Sequence, residues 1–96
     1  MLRGGPPWTG VVDHPLHMRR IDRGSRVPPW RQIADVLRAE IAAGQYDPDG
    51  PPLPSANRLG QEWDVAKRTA LKALRSLAAE GLIEAENGMG YYVTRR

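Results

Sequence analysis

Within nine residues, from Lys67 to Arg75, the chain places four cations and a hydroxyl: Lys67, Arg68, Thr69, Lys72 and Arg75. Their shared chemistry is hydrogen-bond donation, by ammonium and guanidinium groups to phosphate oxygens and by the same groups and the hydroxyl to base edges. If the stretch is helical, each residue is turned ~100° from the last. Ala70, Ala73, Leu74, Leu77 and Ala78 then share one side, with Leu71 at its margin, and Arg68, Lys72 and Arg75 share the opposite side. Thr69 and Ser76 flank the basic side, and Lys67 stands at the N-terminal end. The apolar stripe must be buried. The basic stripe then faces outward, next to a helix N-terminus that itself favours phosphate. No acidic residue falls between Val65 and Ala79, so no i,i+4 partner neutralises the stripe. A solvated charged face is the competing reading, and the neighbouring elements shift the balance toward nucleic acid.

Other chemistries find little support. The chain has 96 residues, enough for one small domain. It contains no Cys, hence no disulfide framework or thiolate metal site, and a cytoplasmic protein is expected. No apolar run approaches the ~18 residues of a membrane span, and the N-terminus lacks an apolar signal core. The two histidines, His14 and His17, flank Pro15 and Leu16 in a Gly- and Pro-rich stretch, where unattached polar side chains are a plainer reading than a metal pair. No Ser–His or paired-carboxylate arrangement can be placed on the folded part, so neither an enzyme nor a cofactor is expected. Net charge is +3, and all of it lies in residues 1–28, with five Arg and two Asp. Residues 29–96 hold nine basic and nine acidic residues. A neutral domain cannot bind a polyanion by bulk charge, so a local stripe has to do it.

The elements that must position the stripe follow in order. Met1 to Pro28 shows no sustained periodicity and is expected to be a flexible basic tail, with Arg19, Arg20, Arg23 and Arg26 available as an arm or simply solvated. Met18 is a conceivable alternative start of translation. Trp30 to Gly44 reads as a helix: Pro29 suits its first turn, Trp30, Ile33, Leu37 and Ile41 make one apolar face, and Gly44 ends it. Trp30 fits core packing better than base stacking. After a Pro-rich loop, Leu53 is placed to bridge to a later hairpin. Ser55 is the N-cap of a short helix that buries Ala56, Leu59 and Trp63. Asp64 occupies the turn with positive φ expected, and Val65 plugs the core between the helices. Ala66 is a poor cap for the basic helix, and Asp64 is a possible substitute. Leu82 to Glu86 and Tyr91 to Thr94 are strand candidates around Asn87-Gly88, a strong hairpin signal. Of Tyr91 and Tyr92, one should pack inward. The fold class expected is mainly α with a small β-hairpin, a three-helix winged helix-turn-helix over residues 29–96.

From Pro29 to Thr94 the chain resembles the DNA-binding domain of the GntR family of bacterial transcription regulators. The resemblance is carried by PWRQIADVLRAEIAAGQY, the LPS at Leu53–Ser55, Leu59, DVAKRTALKAL, LAAEGLIE and NGMGYYV. It implies sequence-specific binding to duplex DNA, probing a two-half-site operator as a dimer, with repression by occlusion as the simplest outcome. It implies that Lys67, Arg68 and Thr69 open the recognition helix in the major groove, and that Asn57 stands where the family places a contacting Arg. Asn87 and Gly88 fall at its minor-groove wing tip. Together with Ser55, Arg58, Lys72 and Arg75, these are the expected DNA-binding residues. The sequence departs from the family pattern at Ala56, Asn57, Asp64, Ala66 and Lys67, and its wing carries Glu84 and Glu86 where basic residues are common. A different operator and weaker affinity are expected from these changes. The family's effector-binding, dimer-forming domain is expected to be absent, leaving a weak homodimer formed on DNA. A protein-interaction module using the Tyr91–Tyr92 hairpin, without DNA binding, is the alternative function.

Overall fold

A computed structural model describes residues 19–86, 88 and 90–95. His14, His17, Asn87 and Met89 lie outside the described residues, as do the remaining residues of the 1–18 segment. Among the described residues the order is α1 (Pro29–Ala42), α2 (Ala56–Trp63), α3 (Lys67–Ala79), β1 (Ile83–Glu86) and β2 (Gly90–Val93). The three helices pack around one apolar core, and the strands form a two-stranded antiparallel hairpin. This is a winged helix.

Each helix begins and ends for a local reason. α1 starts on Pro29, whose missing N–H costs nothing in the first turn. It closes through Gly44 at φ 85°, with the Gln45 amide donating to the Glu40 carbonyl at 3.0 Å. α2 starts at Ser55, whose hydroxyl accepts from the Arg58 amide at 3.1 Å. α3 ends on the same device as α1: Gly81, at φ 81°, donates to the Ala78 carbonyl, and Leu82 donates to Leu77. The chain therefore leaves α3 directly into β1.

The core is built from the stripes the periodicity predicts. Ile33 and Leu37 of α1, Leu59 of α2, Leu74 and Leu77 of α3, and Ile83 of β1 are fully buried. Burying one such side chain contributes about 1.5–3 kcal/mol. Ile83 pairs with Val93, and Ala85 with Tyr91, on one face of the hairpin; Ile83 is buried and Val93 and Tyr91 pack against the core, while Ala85 is exposed. Glu84, paired with Tyr92, and Glu86 take the other face, so of the two tyrosines Tyr91 packs inward. The Leu53 amide donates to the Tyr91 carbonyl at 2.8 Å, the short bridge expected of Leu53.

Residues 19–28 depart from the expected loose tail. The Arg19 amide donates to the Glu62 carbonyl at 2.8 Å, its guanidinium pairs with Glu40 at 2.8 Å, and it lies over the Trp63 ring. Ile21 packs on the core. Gln32 ties the segment to α1 by accepting from the Asp22 amide and donating to the Asp22 and Val27 carbonyls. Periodicity could not reveal this, because the anchors are single contacts spaced irregularly along a segment of turns and bends. Arg19, Ile21, Asp22 and Val27 are thus held against the helical body.

Candidate nucleic-acid interface

α3 presents its basic face as the wheel predicts. Ala70, Ala73, Leu74 and Leu77 are buried, while Lys67, Arg68, Lys72 and Arg75 are exposed and Thr69 is half-buried. Among the described residues, the ion pairs involve Arg19, Arg38, Arg58 and Arg95, and no carboxylate pairs with the four cations of α3. Elsewhere in the body some charges are matched. Arg38 donates to both Glu80 and Asp35, which holds the Glu80 carboxyl below the ordinary glutamate range. Arg95 does the same to Asp49. α3 thus gathers four cations without a carboxylate partner on one helix, while Arg20, Arg26 and Arg31 are likewise in no ion pair among the described residues.

The N-terminus of α3 has no side-chain cap. Ala66 takes the N-cap position, and Asp64 does not substitute for it, which corrects the possibility read from sequence. Asp64 instead closes α2 in the left-handed conformation, φ 55° and ψ 52°, as the turn required. Its backbone carbonyl accepts from the Arg23 guanidinium at 3.0 Å, so the N-terminal segment braces the turn between α2 and α3. The leading amides of α3 remain open to an anion.

Gly60 makes the close approach of α2 and α3 possible. A β-carbon at this position would stand 3.0 Å from the Val65 carbonyl oxygen and 3.7 Å from the Lys67 Cα. The Gly60 carbonyl also accepts from both Asp64 and Val65. Gly60 is not among the residues expected from the sequence to matter for the interface. Its signal was a glycine inside an otherwise apolar-periodic helix, where Gly costs about 1 kcal/mol against Ala and needs a packing reason.

The other expected contact residues are distributed around α3. Asn57 and Arg58 are exposed at the start of α2, and Arg58 is steadied by Glu62 one turn on, at 3.1 Å. The Ser55 hydroxyl is engaged in capping α2. A groove of about 480 Å³ runs along the basic face, lined by Trp30, Arg68, Thr69, Leu71, Lys72 and Arg75. Trp30 was read from sequence as core, and it does pack on the core, but it also forms the far wall of this groove. Gly88 is exposed at the hairpin tip with φ 66°. Such a site offers cations, a hydroxyl and open amides on a rigid rod; none of the residues brought together is an activated nucleophile or a metal-binding cluster.

Comparison with known proteins agrees with this geometry. The family described as "Bacterial regulatory proteins, gntR family" matches residues 16–93. An uncharacterized HTH-type transcriptional regulator of Rhizobium meliloti is 40% identical over 76 residues, which cover 79% of this chain and 31% of that protein. The mannosyl-D-glycerate transport/metabolism system repressor MngR of Escherichia coli is 41% identical over 66 residues, covering 69% of this chain and 27% of the repressor. The chain thus spans less than a third of the length of these relatives. Among solved structures, the DNA-binding domain of AraR in complex with operator ORX1 superposes with a TM-score of 0.74 at 27% identity, covering 81% of this chain and 98% of that one. The relatives and the fold are those of transcription-factor DNA-binding domains and not of enzymes, and the chain belongs to the GntR family of bacterial regulatory proteins.

Proposed function

We propose that this chain binds duplex DNA sequence-specifically as a transcriptional regulator, with α3 in the major groove and the hairpin tip at the adjacent minor groove. One observation carries the reading: a rigid helix face with four cations that no carboxylate neutralises among the described residues. Lys67, Arg68 and Thr69, at the open N-terminus of α3, are the base readers. Arg58, Lys72 and Arg75 anchor phosphates, with Ser55, Asn57 and Gly88 as further contacts; Asn87, outside the described residues, is assigned from the sequence resemblance alone. The likeness to an AraR domain bound to its operator supports this arrangement. Repression by occlusion is the simplest regulatory outcome and agrees with relatives named as repressors. The protein-interaction alternative is not favoured, because Tyr91, half of its aromatic surface, packs on the core.

The reading is tested by selecting bound sequences from a random DNA pool and titrating binding against salt. About four phosphate-facing cations per protomer give a slope of log K against log salt of roughly −3 to −4. Arg75→Ala should flatten that slope by about one and weaken all sequences alike. Arg68→Ala should cost ~1–3 kcal/mol on the selected site and relax preference at one base position. Equal losses for both variants on selected and random DNA would remove Arg68 from the base readers.

A further inference from the structure

Trp30 opens α1 and faces two ways. It packs against the buried cluster, and the Lys72 ammonium lies over its ring, 5.0 Å from the centroid. That distance is within cation–π range. Lys72 is otherwise an exposed lysine on the outward face of α3, with no carboxylate partner among the described residues. A free lysine in that position samples many rotamers, and an indole face restricts them without removing the charge. The ammonium has three N–H donors, and contact with a π face leaves donors available for an incoming oxygen.

The place where the ring holds this charge matters. Trp30 forms the α1 side of the groove whose other wall carries Arg68, Thr69 and Arg75. α1 opens with Pro28 at its N-cap and Pro29 as its first residue, neither of which has a backbone N–H to offer a phosphate. It has no acidic residue in its first turn that would repel one. The Lys72 ammonium therefore supplies a cation at an edge of the groove that is poor in backbone donors.

We propose that Trp30 is a positioning residue of the DNA interface: its ring holds the Lys72 ammonium at the α1 edge of the groove and so makes Lys72 a sequence-independent phosphate anchor. The proposal rests on the DNA-binding reading above. A merely structural Trp30 would act on stability alone, whereas a positioning Trp30 acts through Lys72.

The test is a double-mutant cycle of Trp30→Leu and Lys72→Met, with Trp30→Phe as the conservative variant, on a selected site and on random duplex. Trp30→Leu should weaken both DNAs by about threefold to tenfold. Lys72→Met should reduce the salt slope by about one. In the Lys72→Met background Trp30→Leu should change affinity by less than about twofold, because the contact it serves is already gone. Trp30→Phe should retain most of the affinity. In the free protein, the Lys72 ε-methylene should be shifted upfield by the ring in NMR spectra, and Trp30→Leu should abolish that shift. Equal weakening in both Lys72 backgrounds, or an unshifted Lys72 ε-methylene in the wild type, would overturn the proposal; the second readout stands even if Trp30→Leu folds poorly. Failure of the wild type to bind any duplex would overturn the DNA reading itself and the proposal with it. Uncoupled effects in a protein that does bind overturn the proposal alone.

Discussion

The turn between α2 and α3 holds two residues at odds with local backbone chemistry, and their correction should be additive. Asp64 sits at φ 55°, where an L-residue other than Gly is strained by about 1–2 kcal/mol. Asp64→Gly relieves this, and the greater freedom of glycine in the unfolded chain offsets about 0.4–1 kcal/mol. The net expectation is a gain of roughly 0.5–1 kcal/mol. The bond from Arg23 is kept, because it is made to the Asp64 backbone carbonyl. Ala66→Ser adds an acceptor to a helix end that has no side-chain cap, a gain of about 1 kcal/mol. Since the Asp64 carboxylate is not the cap of α3, the introduced hydroxyl competes with nothing, and the two gains should sum to within ~0.5 kcal/mol. For a domain of this size about 1 kcal/mol moves Tm by ~4–8 °C, so the double variant should melt clearly above either single one. Thermal unfolding of the four-member cycle measures this. A double variant no more stable than Ala66→Ser alone, or a loss above ~1 kcal/mol for Asp64→Gly, would refute the reasoning and assign Asp64 a capping role. Removing its charge should also tighten DNA binding more at low salt than at high salt.

Gly60→Ala gains about 0.8–1 kcal/mol of helix propensity but drives a methyl to 3.0 Å from a backbone carbonyl that cannot yield without moving α3. Overpacking of this kind costs about 1–3 kcal/mol, so the variant should be less stable by denaturant titration and should bind DNA more weakly even under conditions where it is fully folded. Arg38 lowers the Glu80 carboxyl below its ordinary range, so this pair contributes stability above the glutamate range and loses it as pH falls through the folded value. Melting points of wild type and Glu80→Gln should therefore converge in acid, with the larger difference near neutrality. Among the described residues Val27 is the only exposed large hydrophobic, at 37%. Sedimentation of this chain should accordingly show a monomer without DNA and two protomers together only on a two-half-site duplex.

Local chemistry made most of the architecture readable. Periods of 3.6 and 2 placed three helices and a hairpin within a residue or two, because each amphipathic face is written in consecutive positions. Gly44, Gly81, Ser55 and Asp64 behave as their side chains dictate, since capping and left-handed turns depend on neighbours in sequence. The basic stripe was legible for the same reason: Arg68, Lys72 and Arg75 share a face by helical geometry alone. What only the tertiary structure decided are contacts between residues far apart in the chain. Arg19 pairs with Glu40 and covers Trp63, Arg23 reaches Asp64, and Trp30 meets Lys72. Each is a single pairwise contact with no periodic trace, so no pattern along the chain foretells it. Gly60 belongs to the same group, because the need for a missing side chain arises only when the turn folds α3 back against α2.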